Sequence, residues 1–382
     1  MDIATVVALI QAAREENAGP FWPGYSIRDV PFAVYDDHDV EYIGHPNPPA
    51  QHPENLMSAT STPINGIETA TLPLAMCSDA EKAVPLAYHE GFHVFQRQHF
   101  VPIEVDMFTA MAFYPDLDVD YRVLCRLEEN VLHRTDWSTD QRLSVLGHLA
   151  SLRRSRLSVH PSLLGYERFL ERHEGTASYI EQRARQALFD INPMLDVAGH
   201  GWGRFYKVGA AICWLLADAV PDWTRRIEQG ESPGDLVIEH ADSTVDLAAL
   251  DYEIIRSQEN ETLAQVQKQI DDVIESLYQP GIMRIRYGSA VQVYRAFNPS
   301  TLVSLGDGRV LHRSFFKLMI PGKGTIAVDN VSVIDHVQGS EIILSAVPCQ
   351  IRDRRICAQT DAVRIDVEGF EENERVFVLG SQ

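Results

Sequence analysis

Apolar residues recur every three or four positions through the middle of the chain, from residue 78 to about residue 279. This spacing is typical of helices that bury one face. The clearest run keeps it over four turns and comprises Leu263, Val266, Ile270, Ile274 and Leu277. Pro280 and Gly281 then end the pattern. The spacing predicts helices near residues 80–98, 118–135, 138–156, 161–189, 203–219 and 244–278.

The segment before these helices carries a mixed pattern. Residues 3–17 predict an amphipathic helix, and residues 27–40 and 68–74 are rich in the β-branched and aromatic side chains of strands. Residues 46–65 are rich in Pro, Ser, Thr and Asn, which predicts a loop. Pro73 favours an edge position for the second strand, and an edge strand can bind an extended substrate by main-chain pairing.

After residue 281 apolar and charged residues alternate, as in residues 283–287. Similar runs, separated by Gly, Asp and Asn turns, occur at residues 325–328, 341–347, 362–367 and 375–379. The alternation predicts a small β-sandwich or barrel. We therefore expect an α+β fold in three parts. These are an N-terminal α/β segment (1–77), a helical domain (78–280) and a C-terminal all-β domain (281–382).

The composition excludes some partners. The chain has 382 residues and a net charge of −21. Such a charge repels phosphates, so we expect neither nucleic acid nor an anionic membrane as a partner. Five widely spread cysteines without a CxxC pair are typical of free thiols in a reducing compartment. No stretch predicts a signal peptide or a membrane span, so we expect a cytoplasmic protein; the oligomeric state is left open.

The strongest chemical motif is His-Glu-x-x-His, formed by His89, Glu90 and His93. Two imidazoles four positions apart lie on one helical face and suit two ligands of a tetrahedral Zn²⁺ ion. Glu90 lies beside them, where its carboxylate can take a proton from water activated by the metal. The helix is otherwise apolar, and a metal would satisfy polar groups that are costly to bury. The alternative is a chance occurrence of the motif.

A catalytic zinc takes a third protein ligand and leaves one position for water. The first candidate is Glu174, on a second predicted helix, where the small residues Gly175 and Ala177 permit a close approach to the first helix. Glu171 and His173 are alternative ligands. A solvated helix that carries surface glutamates is the alternative without a metal.

Hydrolysis through a tetrahedral intermediate also needs a hydrogen-bond donor for the oxyanion. Tyr206 is the first candidate, and His200 and Tyr179 are alternatives. Packing of the Tyr206 ring on a buried helix, without a catalytic role, is nearly as good an interpretation.

The adjacent Glu128 and Glu129 on the helix near 118–135 are typical of a solvated helix face, with binding of a cationic substrate group as the alternative.

Three segments together resemble a known class. His-Glu-x-x-His at 89–93, Glu-Gly-x-Ala at 174–177 and Tyr-x-x-Gly-Ala at 206–210 are similar to the gluzincin zinc metallopeptidases, in particular to the aminopeptidase N-like branch. The resemblance covers about residues 68–216 and implies a zincin-like catalytic domain. It implies that His89, His93 and Glu174 are the Zn²⁺ ligands. It also implies that Glu90 is the general base that later shuttles the proton, and that Tyr206 is the oxyanion donor.

The chain also departs from this class. The stretch from His93 to Glu174 is much longer than the usual spacing, which indicates an inserted helical pair near 118–156. The aminopeptidase Gly-x-Met-Glu-Asn signature is absent, and Glu68 in Gly66-Ile67-Glu68 is its nearest counterpart. Glu68 is one candidate substrate-binding residue. His200 is the other, in the Gly-rich segment 199–203, which is typical of an inter-helix loop, with a flexible loop over the cleft as the alternative.

The expected function is that of a zinc metallopeptidase acting on a peptide or small amide substrate. One alternative is a zinc hydrolase of a non-peptide small amide in specialised metabolism. Another is a non-catalytic binding protein of zincin fold, with the C-terminal β domain as its recognition surface. Glu90 favours catalysis over this last alternative, because zinc binding alone does not need it.

Overall fold

The structure is a computed structural model, and it describes the chain except residues 54, 55, 57, 159, 194–200, 280, 281, 289, 290, 299, 300, 346, 374, 375 and 380–382. The described residues have an α+β fold in which helices are followed by a C-terminal sheet region, as predicted. None of the described helices combines the length and the apolar character needed to cross a membrane.

The helices, in chain order, are α1 (Ile3–Glu16), α2 (Ala80–His99), α3 (Met107–Phe113), α4 (Val119–Leu132), α5 (Thr139–Leu157), α6 (Pro161–Leu170), α7 (Thr176–Phe189), α8 (Trp202–Ala219), α9 (Trp223–Glu228), α10 (Pro233–Ile238) and α11 (Tyr252–Leu277). Short 3₁₀ turns lie at Ile27–Asp29, Leu74–Met76 and Leu247–Leu250, and a π-helical turn lies at Glu171–Gly175.

The strands are β1 (Phe32–Tyr35), β2 (Val40–Ile43), β3 (Thr60–Ile64), β4 (Ile67–Pro73), β5 (Met283–Arg286), β6 (Tyr294–Phe297), β7 (Leu302–Ser304), β8 (Arg309–His312), β9 (Phe315–Ile320), β10 (Gly324–Asp329), β11 (Val333–His336), β12 (Glu341–Leu344), β13 (Gln350–Arg352), β14 (Arg355–Gln359), β15 (Val363–Glu368), β16 (Phe370–Asn373) and β17 (Val376–Leu379).

The N-terminal sheet corrects one prediction. Its strand order is β2-β1-β4-β3, with β4 parallel to β1 and antiparallel to β3. The strand that contains Pro73 is therefore internal, and the predicted edge position was wrong. Pro73 is tolerated because it is the last residue of β4, where the ladder ends. The edge next to it is β3, which lies inside the predicted loop 46–65.

Helix α2 lies at the centre of the largest hydrophobic core. Asp79 caps its N-terminus by accepting a hydrogen bond from the backbone N–H of Lys82. Its middle turns are buried on all sides, between β4, α1 and α7. Gly91 permits this packing, because a Cβ there would lie 2.9 Å from the hydroxyl of Tyr25 and 3.2 Å from Phe32. The motif helix thus packs closely against the N-terminal sheet and the segment before it.

The predicted helix 161–189 is one helical segment with an irregular middle. Helix α6 passes into the π-helical turn Glu171–Gly175, which passes into α7. A π-turn adds a residue to the helix and rotates the side chains that follow it, and such turns are common at functional sites. The turn packs against α8, and α7 packs against α2.

The C-terminal strands form two sheets that share one apolar core. The first has the strand order β13-β14-β15-β10-β9-β6, and the second has the order β16-β17-β5-β12-β11-β8-β7. Alternating burial along β9 and β15 is typical of strands with one face toward a core. Leu302 and Val310 of the second sheet also join Met111 of α3 in a common cluster, so the sheets pack on the helices.

The three-part division at residues 77 and 280 stays a prediction. The largest core contains residues from both sides of the first boundary, including Ile10 and Phe32 before it and Phe92 after it. The helix predicted from residue 244 begins only at Tyr252, after a 3₁₀ turn.

Candidate metal centre

Three side chains converge beside the buried face of α2. Nε2 of His89 lies 3.5 Å from Oε2 of Glu174, and Nε2 of His93 lies 3.6 Å from the same oxygen. His89 and His93 come from successive turns of α2, and Glu174 comes from the π-helical turn. All three residues are buried. The structure thus brings together the three ligands that the sequence predicts.

The two distances to Glu174 are those expected between ligands of one zinc ion. Two ligand atoms bound at about 2.0–2.1 Å to a tetrahedral ion lie about 3.4 Å apart. The two measured nitrogen–oxygen distances, 3.5 and 3.6 Å, are close to that value. Among the described residues, Oε2 of Glu174 is buried and has no aligned hydrogen-bond donor. An unpartnered buried carboxylate oxygen is costly, and a cation would satisfy it.

Gln96 fixes the tautomer of His93. Its Nε2 donates to the carbonyl of His173 at 2.9 Å and to Oγ1 of Thr176 at 2.8 Å. Its Oε1 therefore faces His93, whose Nδ1 lies 2.7 Å away and donates to it. The lone pair of His93 is left on Nε2, which points toward Glu174. Gln96 thus orients one candidate ligand and ties α2 to the π-helical turn that carries another.

Glu181 supports His89 from behind, as Gln96 supports His93. Its Oε2 lies 3.2 Å from Nδ1 of His89, within ion-pair distance. A carboxylate behind a metal-binding histidine fixes its ring and increases its basicity. Burial opposes the charged form of His89, but Glu174 and Glu181 outweigh it and raise the pKa of His89 well above its usual range. Burial also opposes ionisation of Glu174, yet its close contacts with His89 and His93 hold its pKa well below the usual range.

Glu90 has the environment of a general base. It is buried, and its Oε2 has no hydrogen-bond partner among the described residues. A carboxylate oxygen of Glu90 and ring nitrogens of His89 and His93 all lie within 4.8 Å of one another. Burial raises the pKa of Glu90 above its usual value. A carboxylate whose pKa is raised in this way is better matched to proton transfer near neutral pH.

Tyr206 lies next to the cluster, against His89. Its ring stacks on His89, with centroids 5.8 Å apart and planes 12° apart. Its hydroxyl accepts a hydrogen bond from Nε1 of Trp202 at 3.4 Å. Burial and the carboxylate of Glu174 raise the pKa of Tyr206 well above its usual value, so the phenol stays protonated and can donate. The alternative donor Tyr179 instead packs against Trp214 and Trp223.

The two alternative ligands differ in their surroundings. Glu171 is buried among Arg153, Arg154 and Ser232, and it accepts hydrogen bonds from all three. It therefore belongs to an ion-pair network and not to the histidine cluster. His173 lies in the cluster: a ring nitrogen of His173, one of His93 and a carboxylate oxygen of Glu174 all lie within 4.8 Å of one another. Its ring stacks on His93 with centroids 4.0 Å apart. Burial and the nearby His93 lower the pKa of His173 well below its usual range, so it is neutral.

Other predicted residues lie farther from the cluster or are engaged elsewhere. Glu68 on β4 pairs with Arg97 at 3.1 Å, and His200 lies outside the described residues. The prediction of a solvated face for Glu128 and Glu129 was wrong, since both are buried. Glu128 pairs with Arg153 and Arg204 in the interior. Glu174 is buried too, so the alternative of a solvated glutamate face was also wrong.

Gln96 and Glu181 are functional candidates that the sequence analysis missed. Gln96 follows His93 by three positions and Glu181 follows Glu174 by seven, so each shares a helical face with a predicted ligand. That periodicity is the signal that could have identified them.

Comparisons of the chain with known protein families, with curated proteins and with solved structures found no match.

Proposed function

We propose that this protein is a zinc-dependent hydrolase that cleaves an amide bond, with a peptide as its substrate. The observation that carries the proposal is the convergence of His89 and His93 on one carboxylate oxygen of Glu174, at 3.5 and 3.6 Å, beside the buried carboxylate of Glu90. We further propose that the sheet, α2 and the following helices constitute a zincin-like fold. No disulfide bond is formed in the described part of the chain, which supports a reducing compartment, such as the cytoplasm.

Zinc bound by these three residues would acidify a water molecule and polarise the substrate carbonyl. The chain's own residues supply the rest of the chemistry. Glu90 takes the proton from the attacking water and returns it to the departing amine, so its carboxylate ends in its initial state. The hydroxyl of Tyr206 donates to the oxygen that becomes negative during attack.

The polar groups behind the ligands preorganise this arrangement. Gln96 and Glu181 hold the imidazole rings, so neither ring must reorient when a metal or a substrate binds. The burial of Glu90 favours a catalytic protein over a binding protein of the same fold. A buried carboxylate with no partner is costly, and metal binding by the three ligands does not require it.

The test combines metal content with a peptide screen. We expect elemental analysis to find one zinc ion per wild-type chain, and to find it lost in His93→Ala and Glu174→Ala. Glu90→Gln is expected to keep zinc and lose cleavage of a mixed peptide library followed by mass spectrometry. Glu81→Gln is the matched control, because Glu81 is an exposed glutamate of the same helix.

Two results would contradict the proposal. One is wild-type protein that takes up no zinc even after zinc is added. The other is a zinc-loaded Glu90→Gln variant that cleaves the same peptides as wild type, because a general base would then not be needed.

A further inference from the structure

A cavity of about 350 Å³ lies at the C-terminal end of α2, next to the metal centre. Its lining is mostly apolar and includes Phe100, Val101, Ile103 and Phe169. Val101 is an exposed large apolar residue, with 53% of its surface accessible, and it marks the mouth. The size and lining suit a small aromatic or branched aliphatic group.

Two arginines give this cavity a positive charge, and they differ in their partners. The charge of Arg97 is already paired, because its guanidinium lies 3.1 Å from Glu68 and also donates to the carbonyl of Ser61. Arg172 is buried and has no carboxylate within ion-pair distance among the described residues.

The contacts of Arg172 are with backbone carbonyls and an aromatic ring. Its Nη1 donates to the carbonyl of Val101 at 2.8 Å, and its Nη2 donates to the carbonyl of Glu228 at 3.5 Å. Its guanidinium lies over the ring of Phe100. Its Nε is buried without any hydrogen-bond partner among the described residues. A buried guanidinium normally pairs with an anion, so the site lacks the group that would complete it.

We propose that this cavity binds an apolar group that carries a carboxylate, with the carboxylate on Arg172 and the apolar part against Phe100, Ile103 and Phe169. The apolar part and the carboxylate of the ligand match the apolar lining and the guanidinium of the cavity. The apolar lining stabilises the hydrocarbon part, and the guanidinium offers charge-assisted hydrogen bonds to the carboxylate.

The cavity is coupled to the metal centre by shared residues. Gln96 and His173 line it, Gln96 also holds His93, and His173 stacks between His93 and Phe169. Arg172 belongs to the π-helical turn that carries Glu174. A bound group would therefore contact residues that orient the candidate ligands His93 and Glu174.

The test is titration calorimetry with 3-phenylpropionate and its neutral analogue 3-phenylpropanamide, using metal-free, full-length protein. We expect wild type to bind the acid about tenfold or more tightly than the amide, the factor expected for one charge-assisted interaction. Arg172→Gln should abolish this preference. Arg168→Gln should retain it, because Arg168 lies one turn earlier on the same helical segment and pairs with Asp235 outside the cavity.

A second variant keeps the test decisive if Arg172→Gln fails to fold. Ile103→Trp fills the cavity from a loop position and should abolish binding of both compounds. Equal affinity of wild type for acid and amide would overturn the proposal. So would an acid affinity that is unchanged in Ile103→Trp.

Either the substrate itself or a separate small molecule can supply the carboxylate. If the substrate supplies it, which rests on the proposed hydrolase function, Arg172→Gln raises KM for peptides with a free carboxylate and not for their amides. If KM is unchanged while 3-phenylpropionate binding is lost, the cavity binds a separate ligand. The calorimetry needs neither zinc nor turnover, so its outcome is independent of whether the protein is a hydrolase.

Discussion

Gly175 and Gly209 lie in backbone contact: a Cβ atom on Gly209 would lie 2.6 Å from Cα of Gly175. The contact brings the π-helical turn, which carries Glu174, directly against α8, which carries Tyr206. The sequence predicts that Gly175 permits close approach to α2. The structure instead places it against α8, and this is the contact that brings the third candidate ligand and the candidate oxyanion donor together.

Gly209→Ala should therefore disturb both stability and the site. The added methyl group has no space, so we expect the free energy of unfolding to fall by about 1–3 kcal/mol. Zinc affinity should fall as well, because the turn that carries Glu174 must move. Urea titration and zinc competition with a chelator measure the two effects.

Gly203→Ala is the control for this prediction. It lies on the same helix, and a Cβ there would meet nothing within 4 Å. Its stability and zinc affinity should equal those of wild type or exceed them. Equal behaviour of the two alanine variants would show that the contact between Gly175 and Gly209 does not constrain the site.

Gln96→Leu should weaken zinc binding without removing a ligand. The substitution keeps the size of the side chain but leaves Nδ1 of His93 and the carbonyl of His173 without their partner. Loss of such a supporting group typically lowers metal affinity about 10–100-fold. Competition with a chelator gives the dissociation constant, and Gln98→Leu, an exposed position on the same helix, is the control. A zinc affinity equal to that of the control would contradict the assigned role of Gln96.

Tyr206→Phe tests the oxyanion donor. Removing one such donor typically lowers kcat about 10²–10³-fold. Zinc content should not change, because the phenol is not a ligand. The measurement is kcat on the best peptide from the screen, with Tyr278→Phe, a distant tyrosine, as control. A zinc-loaded Tyr206→Phe variant with wild-type kcat would restrict Tyr206 to packing against His89.

The sequence predicts the elements of the site better than their connections. Helical periodicity gives α2 to within one residue, because a buried helix needs continuous apolar spacing. The i, i+4 pair of histidines then follows from helix geometry alone. The internal position of β4 could not be predicted, because its partner β3 consists of Thr-Ser-Thr-Pro-Ile, a composition typical of loops.

The π-helical turn explains a second difference. Regular helical spacing places Glu171 and Glu174 near one face. The residue that the turn adds separates them, so Glu171 faces Arg153 and Arg154 while Glu174 faces the histidines. No local pattern distinguishes a regular turn from a π-turn, so the sequence leaves both residues as candidate ligands.

Buried charges account for the largest difference. Glu128, Glu167 and Glu171 all pair with Arg153 in the interior. Along the chain, a glutamate in such a network has the same helical spacing as one on a solvated surface. Its partner lies on another helix, so only the tertiary structure separates the two cases. The carboxylates of Glu167 and Glu171 are thus structural, and their ion pairs support the π-helical turn to which Glu171 belongs.

This network makes a prediction about acid stability through Glu171. Burial favours its neutral form, but Arg154 and Arg153 outweigh burial and lower the pKa of Glu171 from 4.5 to about 2. The folded state therefore favours the charged form. Its contribution is fully present above pH 4.5 and is lost as the pH falls toward 2. The shift corresponds to a free energy on the order of 3 kcal/mol at neutral pH.

Glu171→Gln removes this contribution at every pH. We expect the variant to be less stable than wild type by about 3 kcal/mol at pH 7 and by only about 1 kcal/mol at pH 3, because wild type loses the contribution between these values. Urea titrations at both pH values measure the difference, and Glu253→Gln, an exposed glutamate on α11, should show none at either pH. A difference for Glu171→Gln that stays constant from pH 7 to pH 3 would mean that the arginines do not hold this carboxylate charged. The π-helical turn would then depend on packing alone, and Gly175 against Gly209 would be its main support.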